Sequence, residues 1–482
     1  MTCILAGLYK RDISSRHSSK ALPYLGLGLS TNLGEQDRPD PLALCSAEPG
    51  LFDFVEYSAP LSLEDCHRVP RFEALLAGRR RLPMLYHPVH LNLWGPELER
   101  PEALLQLWQH VDEVGSPWVG NDVAWWHVQG REFPGYLYVA PPLDATGLRQ
   151  AAVHALRVQA ALGCPLVLEN PTIVAPRGPM HVLEFMGRLS ERTGCDLILD
   201  LGHLLAYQLA AGQPLEHALG QGLERALAAY PLERVIEIHL AGGVVTGQAY
   251  FDDHSQPVRE ELFGLLERLL PRCTGLRAVT FEGDGHPDGV AAMTLRRLRR
   301  LVAPPSEQAS EGPPDIRTVP PLDGDLSGCW EIFDRAMGRV TDVGPGAAAE
   351  VEMRLAVLAE RLDRELPFTR ALAAPDQNAL LAFQRSQEFV EAFNPQRPAL
   401  VSAFAAFVRR RLLASPDEVL ATVLSFELLA GGGATSFPFD LDELKFAYIA
   451  MRRHFAGRAP SVGGFPAAAV EALRQVVSRA IK

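Results

Sequence analysis

The sequence lacks the long apolar run that a membrane-spanning helix requires. No uninterrupted apolar stretch of about 18 residues occurs in the 482-residue chain. The apolar run near the N-terminus is short and its basic residues follow it, so no secretory signal is predicted. We therefore expect a cytoplasmic protein without a membrane partner.

Cysteine pairs and basic residues are also scarce. The seven cysteines form no C-x-x-C motif, which is typical of reduced thiols and disfavours a structural zinc or iron–sulfur site. The 46 Lys and Arg residues are outnumbered by 58 Asp and Glu, giving a net charge of −12. Phosphate binding needs clustered basic residues, so this balance argues against a nucleic-acid partner.

Glycine-rich phosphate loops are missing as well. No G-x-G-x-x-G or Walker A motif follows any strand-like segment, so the sequence gives no support for a dinucleotide or P-loop site. The composition, 47% hydrophobic and 22% charged, is that of a globular protein. A chain of this length is expected to form two or three domains.

Strand-like and helix-like patterns alternate through residues 1–302, which predicts a (β/α)8 TIM barrel rather than an open doubly wound sheet. The candidate strands are residues 24–30, 51–57, 82–93, 117–125, 165–170, 195–201, 234–240 and 276–283. Residues 303–325 have the Pro-, Ser- and Gly-rich composition of a linker. Apolar residues then recur at helical spacing, which predicts an all-α domain over residues 326–482.

Acids and imidazoles recur where five runs of the predicted barrel region end. The runs are PLVLEN (Glu169, Asn170), LILDLGH (Asp200, His203), VIEIHLAG (Glu237, His239), FDDHSQPV (Asp252, His254) and VTFEG (Glu282). Any one of these residues alone is typical of a satisfied polar group or a surface side chain. Repeated at the spacing of βα units, they predict a ring of ligands at the C-terminal mouth of the barrel.

The residue types indicate which metals such a ring would bind. Carboxylate oxygens mixed with imidazole nitrogens suit hard or borderline divalent ions. Glu237 and His239 lie two apart in a strand and should therefore share the barrel interior. His87, in LYHPVH, is a further candidate, and a metal ligand and a core histidine are equally good interpretations of it. Because one carboxylate can bridge two ions, we expect two or three metals.

These motifs resemble the multinuclear non-heme iron-dependent oxidases that modify ribosomally made peptides, including the oxidase of methanobactin biosynthesis. The resemblance rests on LENP, LDLGH, EIHLAG, DDHSQPV and FEGDG and spans roughly residues 24–290. It implies a barrel of the xylose isomerase-like type that holds two or three irons, some ferric and some ferrous. The helical domain is not covered by it.

The resemblance also implies roles for individual residues. Glu169 would bridge, and Asp200, His239 and Glu282 would complete one iron site, so these four are the catalytic candidates. A second iron would be held by His203, Asp252 and His254, and a third by His87 with Glu169. Asn170 would belong to a Glu-Asn pair, and Glu237 would orient its neighbours.

Two departures from the family pattern concern the site near His87. The family has Glu-x-His after the second strand, where this chain reads Glu56-Tyr57-Ser58. Around the fourth strand the usual Glu-His pair reads Asn121-Asp122. We expect this site to be vacant, loosely occupied, or rebuilt with Asp122 or His127.

The leading functional hypothesis is an oxidoreductase of natural product biosynthesis that uses dioxygen to modify a cysteine of a precursor peptide. The helical domain would bind the peptide or replace a partner protein, or would serve only in packing. One alternative is a zinc- or manganese-dependent hydrolase or isomerase of the same barrel superfamily, of the endonuclease or sugar-isomerase kind. Another is a degenerate metal-binding barrel that acts as a peptide-binding scaffold.

Overall fold

A computed structural model describes residues 22–431 apart from 35–36, 59–61, 89, 134–137, 229, 247–248, 304–326, 341–344 and 394–399. The residues described between 22 and 126 and between 139 and 330 form one compact unit. The residues described between 127 and 138 and from 331 onwards form a second. None of the described helices is long and apolar enough to cross a membrane.

The first unit is built around a closed barrel of parallel strands. The described strands, in chain order, are β1 (Gly26–Asn32), β2 (Phe54–Ser58), β3 (Met84–Tyr86), β4 (Val119–Asp122), β5 (His127–Val128), β6 (Arg131–Glu132), β7 (Leu166–Glu169), β8 (Asp196–Asp200), β9 (Val235–Ala241), β10 (Gly243–Thr246), β11 (Ala249–Asp252) and β12 (Ala278–Glu282). The barrel order is β1-β12-β9-β8-β7-β4-β3-β2, and β5-β6 and β10-β11 are separate antiparallel pairs. The predicted TIM barrel is confirmed.

Helices connect successive barrel strands. Their bounds are Pro41–Ala47, Leu63–His67, Pro70–Gly78, Pro101–Val114, Ala145–Gln159, Val182–Thr193, Leu201–Ala210, Leu215–Ala218, Gln221–Leu227, Glu260–Leu269 and Asp288–Arg299. Local sequence fixes their ends. Asp144 caps the first turn of Ala145–Gln159 by accepting from the Thr146 and Gly147 amides, at 2.8 Å each. Gly115 ends the helix before it in the left-handed conformation that glycine adopts readily.

An apolar layer closes the lower part of the barrel interior. Its members come from all eight barrel strands or the residues just before them: Leu25, Phe54, Leu85, Trp118, Val167, Ile198, Ile236 and Ala278. Gly28 makes room for this layer, since a Cβ there would lie 2.2 Å from the ring of Phe54. Side chains further along the same strands must therefore lie between this dry floor and the C-terminal mouth.

The second unit is helical, apart from the short β5-β6 pair. Its helices are the end of Ser327–Ala336, then Pro345–Glu365, Pro367–Ala373, Gln377–Gln384, Gln387–Glu391, Leu400–Ala414 and Glu418–Gly431. Phe133 packs against Phe333 and Phe393, with ring centroids 5.5 and 5.1 Å away. The chain segment that follows β4 in sequence therefore contributes to the core of this helical unit.

The largest differences between the predicted elements and the structure concern two runs. The predicted strand over 82–93 is only Met84–Tyr86 in the structure, because His87 and the residues after it leave the sheet. The run FDDHSQPV ends the hairpin strand β11 instead of a barrel strand. The predicted linker, except Ala303, and residues 432–482 of the predicted helical domain lie outside the described residues. The domain boundaries stay a prediction.

Candidate metal centre

Sheet register brings distant acids and imidazoles together at the mouth of the barrel. Asp122 at the end of β4 is paired in register with Glu169 at the end of β7. Asp200 at the end of β8 is paired with His239 on β9. Parallel strands end at one rim, so residues far apart in sequence become neighbours.

His87 lies between two carboxylates that come from different strands. Its Nδ1 is 3.1 Å from Oε1 of Glu56, and its Nε2 is 3.2 Å from Oε2 of Glu169. The side chain is 4% exposed, so both contacts are screened from water. Glu56 comes from the middle of β2, where alternation turns it inward while Tyr57 points outward to His110.

His239 is the most central imidazole and is fully buried. Its Nδ1 lies 3.3 Å from Oε1 of Glu169 and 3.6 Å from Oε1 of Glu282. Its Nε2 lies 3.4 Å from Oε2 of Glu56 and 3.5 Å from Oε1 of Glu237. Each ring nitrogen of His239 thus faces a pair of carboxylates.

His203 and His254 share the carboxylate of Asp252. Oδ2 of Asp252 is 3.1 Å from Nε2 of each imidazole. On its other side, His203 places Nδ1 within 3.6 Å of both Asp122 Oδ1 and Glu169 Oε1. The hairpin strand β11 therefore adds Asp252 to the cluster that the barrel strands form.

Several ligand-type atoms of this cluster are buried and, although some lie near an opposite charge, make no hydrogen bond among the described residues. They are His87 Nε2, Asp122 Oδ1, Glu169 Oε2, Asp200 Oδ2, His239 Nδ1 and Nε2, and Asp252 Oδ1. Leaving buried polar atoms unsatisfied is costly, so each one calls for an explanation. Ligands of one transition metal sit about 2.1 Å from it and about 3 Å from each other, close to the separations seen here.

The charges point to the same explanation. In the described part of the chain, the ion pairs of these carboxylates involve only imidazoles, and the carboxylates outnumber them. Burial, followed by repulsion from Glu169, raises the pKa of Asp122 to about 8. Burial likewise raises the pKa of Glu282 to about 8 and of Asp200 to about 6. Bound cations would reverse this effect and keep the acids ionised.

Other groups in the cluster shift in the opposite sense. Burial opposes ionisation of Glu169, but the neighbouring His239 and His87 outweigh it and hold the pKa well below the usual range. The same two imidazoles lower the pKa of Glu56 against the effect of burial. Burial works against the charged form of His239, yet Glu56 and Glu169 raise its pKa well above normal.

Three overlapping groups have donor atoms close enough to surround metal ions. They are Glu56 with His87, His239 and Glu282; His87 with Asp122 and Glu169; and Glu169 with Asp200 and His203. The atoms of each group lie within 4.8 Å of one another, and the members are buried except for Glu282, which is 12% exposed at the side chain. His87 and Glu169 each belong to two groups, so Glu169 occupies the position expected of a bridging carboxylate.

The structure brings the eight predicted metal-binding residues into one network of contacts. Asp252 and His254 extend the three groups through His203 and Glu282, with His254 Nε2 lying 3.9 Å from Glu282 Oε2. How the residues divide among individual metal ions stays a prediction.

The predicted supporting residues have different surroundings. Asn170 accepts from the Asp200 amide at 3.0 Å and donates to its carbonyl at 3.1 Å, which fixes the end of β8. Glu237 accepts from the Trp118 indole at 2.8 Å and the Thr280 hydroxyl at 2.7 Å. Asn121 donates instead to the Leu91 and Asp122 carbonyls, at 3.2 and 2.8 Å. Its amide therefore holds a loop.

The three further candidates near His87 lie in different places. Ser58 is half-buried at the end of β2. Asp122 belongs to one of the three metal-binding groups. His127 falls in the second unit, where its Nδ1 accepts from the Gly130 amide at 3.0 Å.

Sequence reasoning missed two acids of the site. Glu56 was noted only as part of a motif that lacks its histidine, yet it contacts both His87 and His239. Its signal is an acid at an inward position of an apolar strand, LFDFVEY. Asp284, in FEGDG, faces His254 Nδ1 at 3.3 Å. Its position in a loop gave no periodic signal.

Residues 28–295, more than half of the chain, match a family model described as RiPP precursor modification enzyme MbnB/TglH/ChrH, where RiPP denotes a ribosomally made, post-translationally modified peptide. The chain belongs to this family. The matched residues include every member of the metal-binding groups. The resemblance seen in the sequence is therefore confirmed.

Relatives of this MbnB/TglH/ChrH family member include two UPF0276 proteins of Caulobacter vibrioides. One is 30% identical over 299 residues, covering 61% of this chain and 99% of the relative, and the other is 27% identical over 283 residues, covering 58% and 95%. A UPF0276 protein of Bordetella parapertussis is 30% identical over 288 residues, covering 57% and 93%. These relatives match the barrel region in length.

Solved structures similar to this chain include endonuclease IV from Thermus thermophilus, with 20% identity, a TM-score of 0.38, and coverage of 57% of this chain and 98% of that one. D-allulose 3-epimerase from Methylomonas sp. has 15% identity and a TM-score of 0.34, covering 59% of this chain and 100% of the epimerase.

Proposed function

We propose that this protein is an iron-dependent oxidase that uses dioxygen to modify a cysteine side chain of a ribosomally made precursor peptide. Membership of a family of RiPP precursor modification enzymes supports the peptide substrate. The observation that carries the proposal is a set of buried nitrogen and oxygen atoms that make no hydrogen bond and that belong to three metal-binding groups. These groups overlap at His87 and Glu169. Such a set is expected where several metal ions lie side by side.

The residues present fit two or three iron ions. His87, Asp122 and Glu169 would hold one ion, and Glu169, Asp200 and His203 another. Glu56, His239 and Glu282 would form a third position together with His87. This mixture of carboxylates and imidazoles, without cysteine, suits non-heme iron and also manganese or zinc.

Bound iron would supply a Lewis acid for a substrate thiolate and the electrons that dioxygen accepts. The protein orients the metal ligands and excludes water from one side of the cluster. Asn170 fixes the backbone of Asp200, and the Trp118 and Thr280 donors fix Glu237 beside His239. The apolar layer of Phe54, Val167 and Ile198 keeps water from reaching the cluster from below.

The proposal makes Asp122 the third ligand of the position near His87. Oδ1 of Asp122 has no hydrogen-bond partner among the described residues, as is also true of His87 Nε2 and Glu169 Oε2. One nitrogen and two carboxylate oxygens, none of them hydrogen-bonded, then surround one possible metal position. Ser58 offers no imidazole there. Peptide binding by the helical region stays a prediction.

Full-length protein purified without oxygen and loaded with Fe(II) would test the proposal. The cognate precursor peptide is added with dioxygen, and its mass is compared with that of an anaerobic sample. We expect an oxygen-dependent mass change and two or three irons per chain by elemental analysis. An unchanged peptide with the iron positions full would contradict the oxidase function. Zinc or manganese in the protein as isolated would favour a hydrolase or isomerase.

A further inference from the structure

Asp284 faces the nitrogen of His254 that points away from Asp252. Oδ2 of Asp284 lies 3.3 Å from His254 Nδ1, while Nε2 of the same ring is 3.1 Å from Asp252 Oδ2. His254 is 11% exposed and Asp284 is 27% exposed at the side chain. One edge of the imidazole is therefore directed at the metal cluster, and the opposite edge at a carboxylate outside it.

Asp284 is itself held by the end of β1. The Ser30 hydroxyl donates to its Oδ2 and the Asn32 amide donates to its Oδ1, both at 3.3 Å. These donors come from a barrel strand about 250 residues earlier in the chain. The carboxylate is thus attached to the barrel frame, although it lies in the loop that follows β12.

The chemistry of imidazole gives this arrangement a consequence. A neutral ring carries one proton, and a carboxylate beside Nδ1 favours the tautomer in which Nδ1 donates to it. Nε2 then keeps its lone pair and can bind a cation. The hydrogen bond also restricts rotation of the ring, which makes a ligand on a loop as well oriented as one on a strand.

We propose that Asp284 is a positioning residue that fixes the tautomer and the orientation of His254 for metal binding. The inference rests on the metal dependence proposed above and deepens it. It assigns Ser30 and Asn32 as the anchors of Asp284. It also explains how the loop after β11 presents a usable ligand to the centre.

Titration of metal-free, full-length protein with Co(II) tests this directly. Co(II) reports ligand number and type through its absorption bands, independently of catalysis. For Asp284→Ala we expect one equivalent of Co(II) to bind about 10–100-fold more weakly, with altered bands. Asp284→Asn keeps an oxygen that accepts from Nδ1, so its affinity should fall by less than about tenfold. Asn32→Ala, which leaves Asp284 in place but less restrained, should weaken binding less than Asp284→Ala.

Asp253→Asn is the matched control. It removes a negative charge one residue from His254, but the Asp253 carboxylate accepts from Ser255 and Gln256 and contacts no imidazole of the cluster. A purely electrostatic effect would weaken both Asn variants alike, which would overturn the positioning role. Co(II) binding by Asp284→Ala that equals the wild type in affinity and bands would also overturn it. Wild-type protein that bound no Co(II) at all would instead contradict the metal centre itself.

Discussion

Ionisable side chains are buried in both units of the molecule, but their hydrogen-bond partners differ. In the helical unit, Arg354 donates to Glu350 at 2.7 Å and to the Tyr138 carbonyl at 2.9 Å. Glu427 accepts from the amides of Phe368 and Thr369 at 2.9 and 2.7 Å. At the barrel mouth, by contrast, Glu169, Asp200 and His239 leave buried atoms without such partners.

This difference distinguishes buried groups that stabilise the fold from buried groups that are available to bind a ligand. A buried acid or base whose main hydrogen-bond partners come from the surrounding fold is explained by that fold. A buried cluster in which carboxylates outnumber imidazoles and several ligand-type atoms make no hydrogen bond is not, and a bound cation would supply the missing stabilisation. The comparison predicts that metal ions matter to the barrel and not to the helical unit.

Removal of the metals should have the largest effect and should be confined to the barrel. Each tightly bound ion at about 1,000 times its Kd stabilises the folded state by about 4 kcal/mol, so chelation should lower the barrel Tm by about 10 °C or more. All six tryptophans lie in the barrel unit, so their fluorescence reports mainly on it. Far-UV circular dichroism reports on both units. If chelation lowered the Tm of the entire circular dichroism signal as much as the Tm seen by tryptophan fluorescence, the metals would stabilise both units and the comparison would be wrong.

Breaking the buried pair of the helical unit should come next. Glu350→Ala removes the carboxylate that pairs with Arg354 and leaves that guanidinium charged and buried. The free energy of unfolding should therefore fall by about 3–5 kcal/mol. Metal content should stay at the wild-type value. Urea denaturation with elemental analysis measures both. Glu352→Ala, on an exposed face of the same helix, is the control and should change stability by less than about 0.5 kcal/mol. Metal loss on Glu350→Ala would show that the two kinds of buried charge are not separate.

Removing the shared ligand of the cluster should weaken metal binding more than removing a supporting residue does. Glu169→Gln keeps the shape of the side chain but loses a charge that belongs to two metal-binding groups. We expect metal affinity to fall by at least about 100-fold, since even outer partners of ligands cost 10–100-fold. Competition with a chelator of known affinity measures it. Glu191→Gln, on an exposed turn of Val182–Thr193, should bind metal normally. Normal affinity in Glu169→Gln would remove Glu169 from the centre.

Much of the barrel could be predicted from the sequence because two periodicities alternate along it. Apolar runs such as PLVLEN and VIEIHLAG have the length and composition of buried parallel strands, and the structure places strands there. The run 82–93 was predicted too long, because LYHPVHLNL is equally apolar in the strand and in the loop that follows. Composition alone cannot mark where hydrogen bonding to a neighbouring strand ends.

The site was predictable where an acid or imidazole ends a strand, and less so elsewhere. Asp200 and Glu282 end their strands and His239 lies two residues before the end of β9, so the common direction of the parallel strands brings all three to one rim. Glu56 needed knowledge of which face of β2 points inward. Asp284 needed the loop after β12 to return to β1, a contact between residues about 250 apart. The spacing of residue types along the sequence does not indicate which residues so far apart in the chain come into contact.

The smallest effect in this series concerns the pH dependence of the helical unit. Burial raises the pKa of Glu427 to about 7, despite the two amides that donate to it. The folded protein therefore binds a proton that the unfolded chain, with a pKa near 4.5, has released. This contribution to stability is fully present below about pH 4.5 and is lost as the pH rises through about 7.

Glu427→Gln should remove that dependence because the amide cannot ionise, while its oxygen still accepts from Phe368 or Thr369. Relative to the wild type, the variant should gain about 2 kcal/mol in free energy of unfolding between pH 5 and pH 8. Urea denaturation followed by far-UV circular dichroism at both pH values gives this difference, and the titration of the barrel cluster cancels because both proteins contain it. Glu352→Gln, on the exposed face of Pro345–Glu365, serves as the control variant. Parallel stability curves for Glu427→Gln and the wild type would mean that the carboxylate is already ionised when folded, and that the amides of Pro367–Ala373 outweigh the cost of burial.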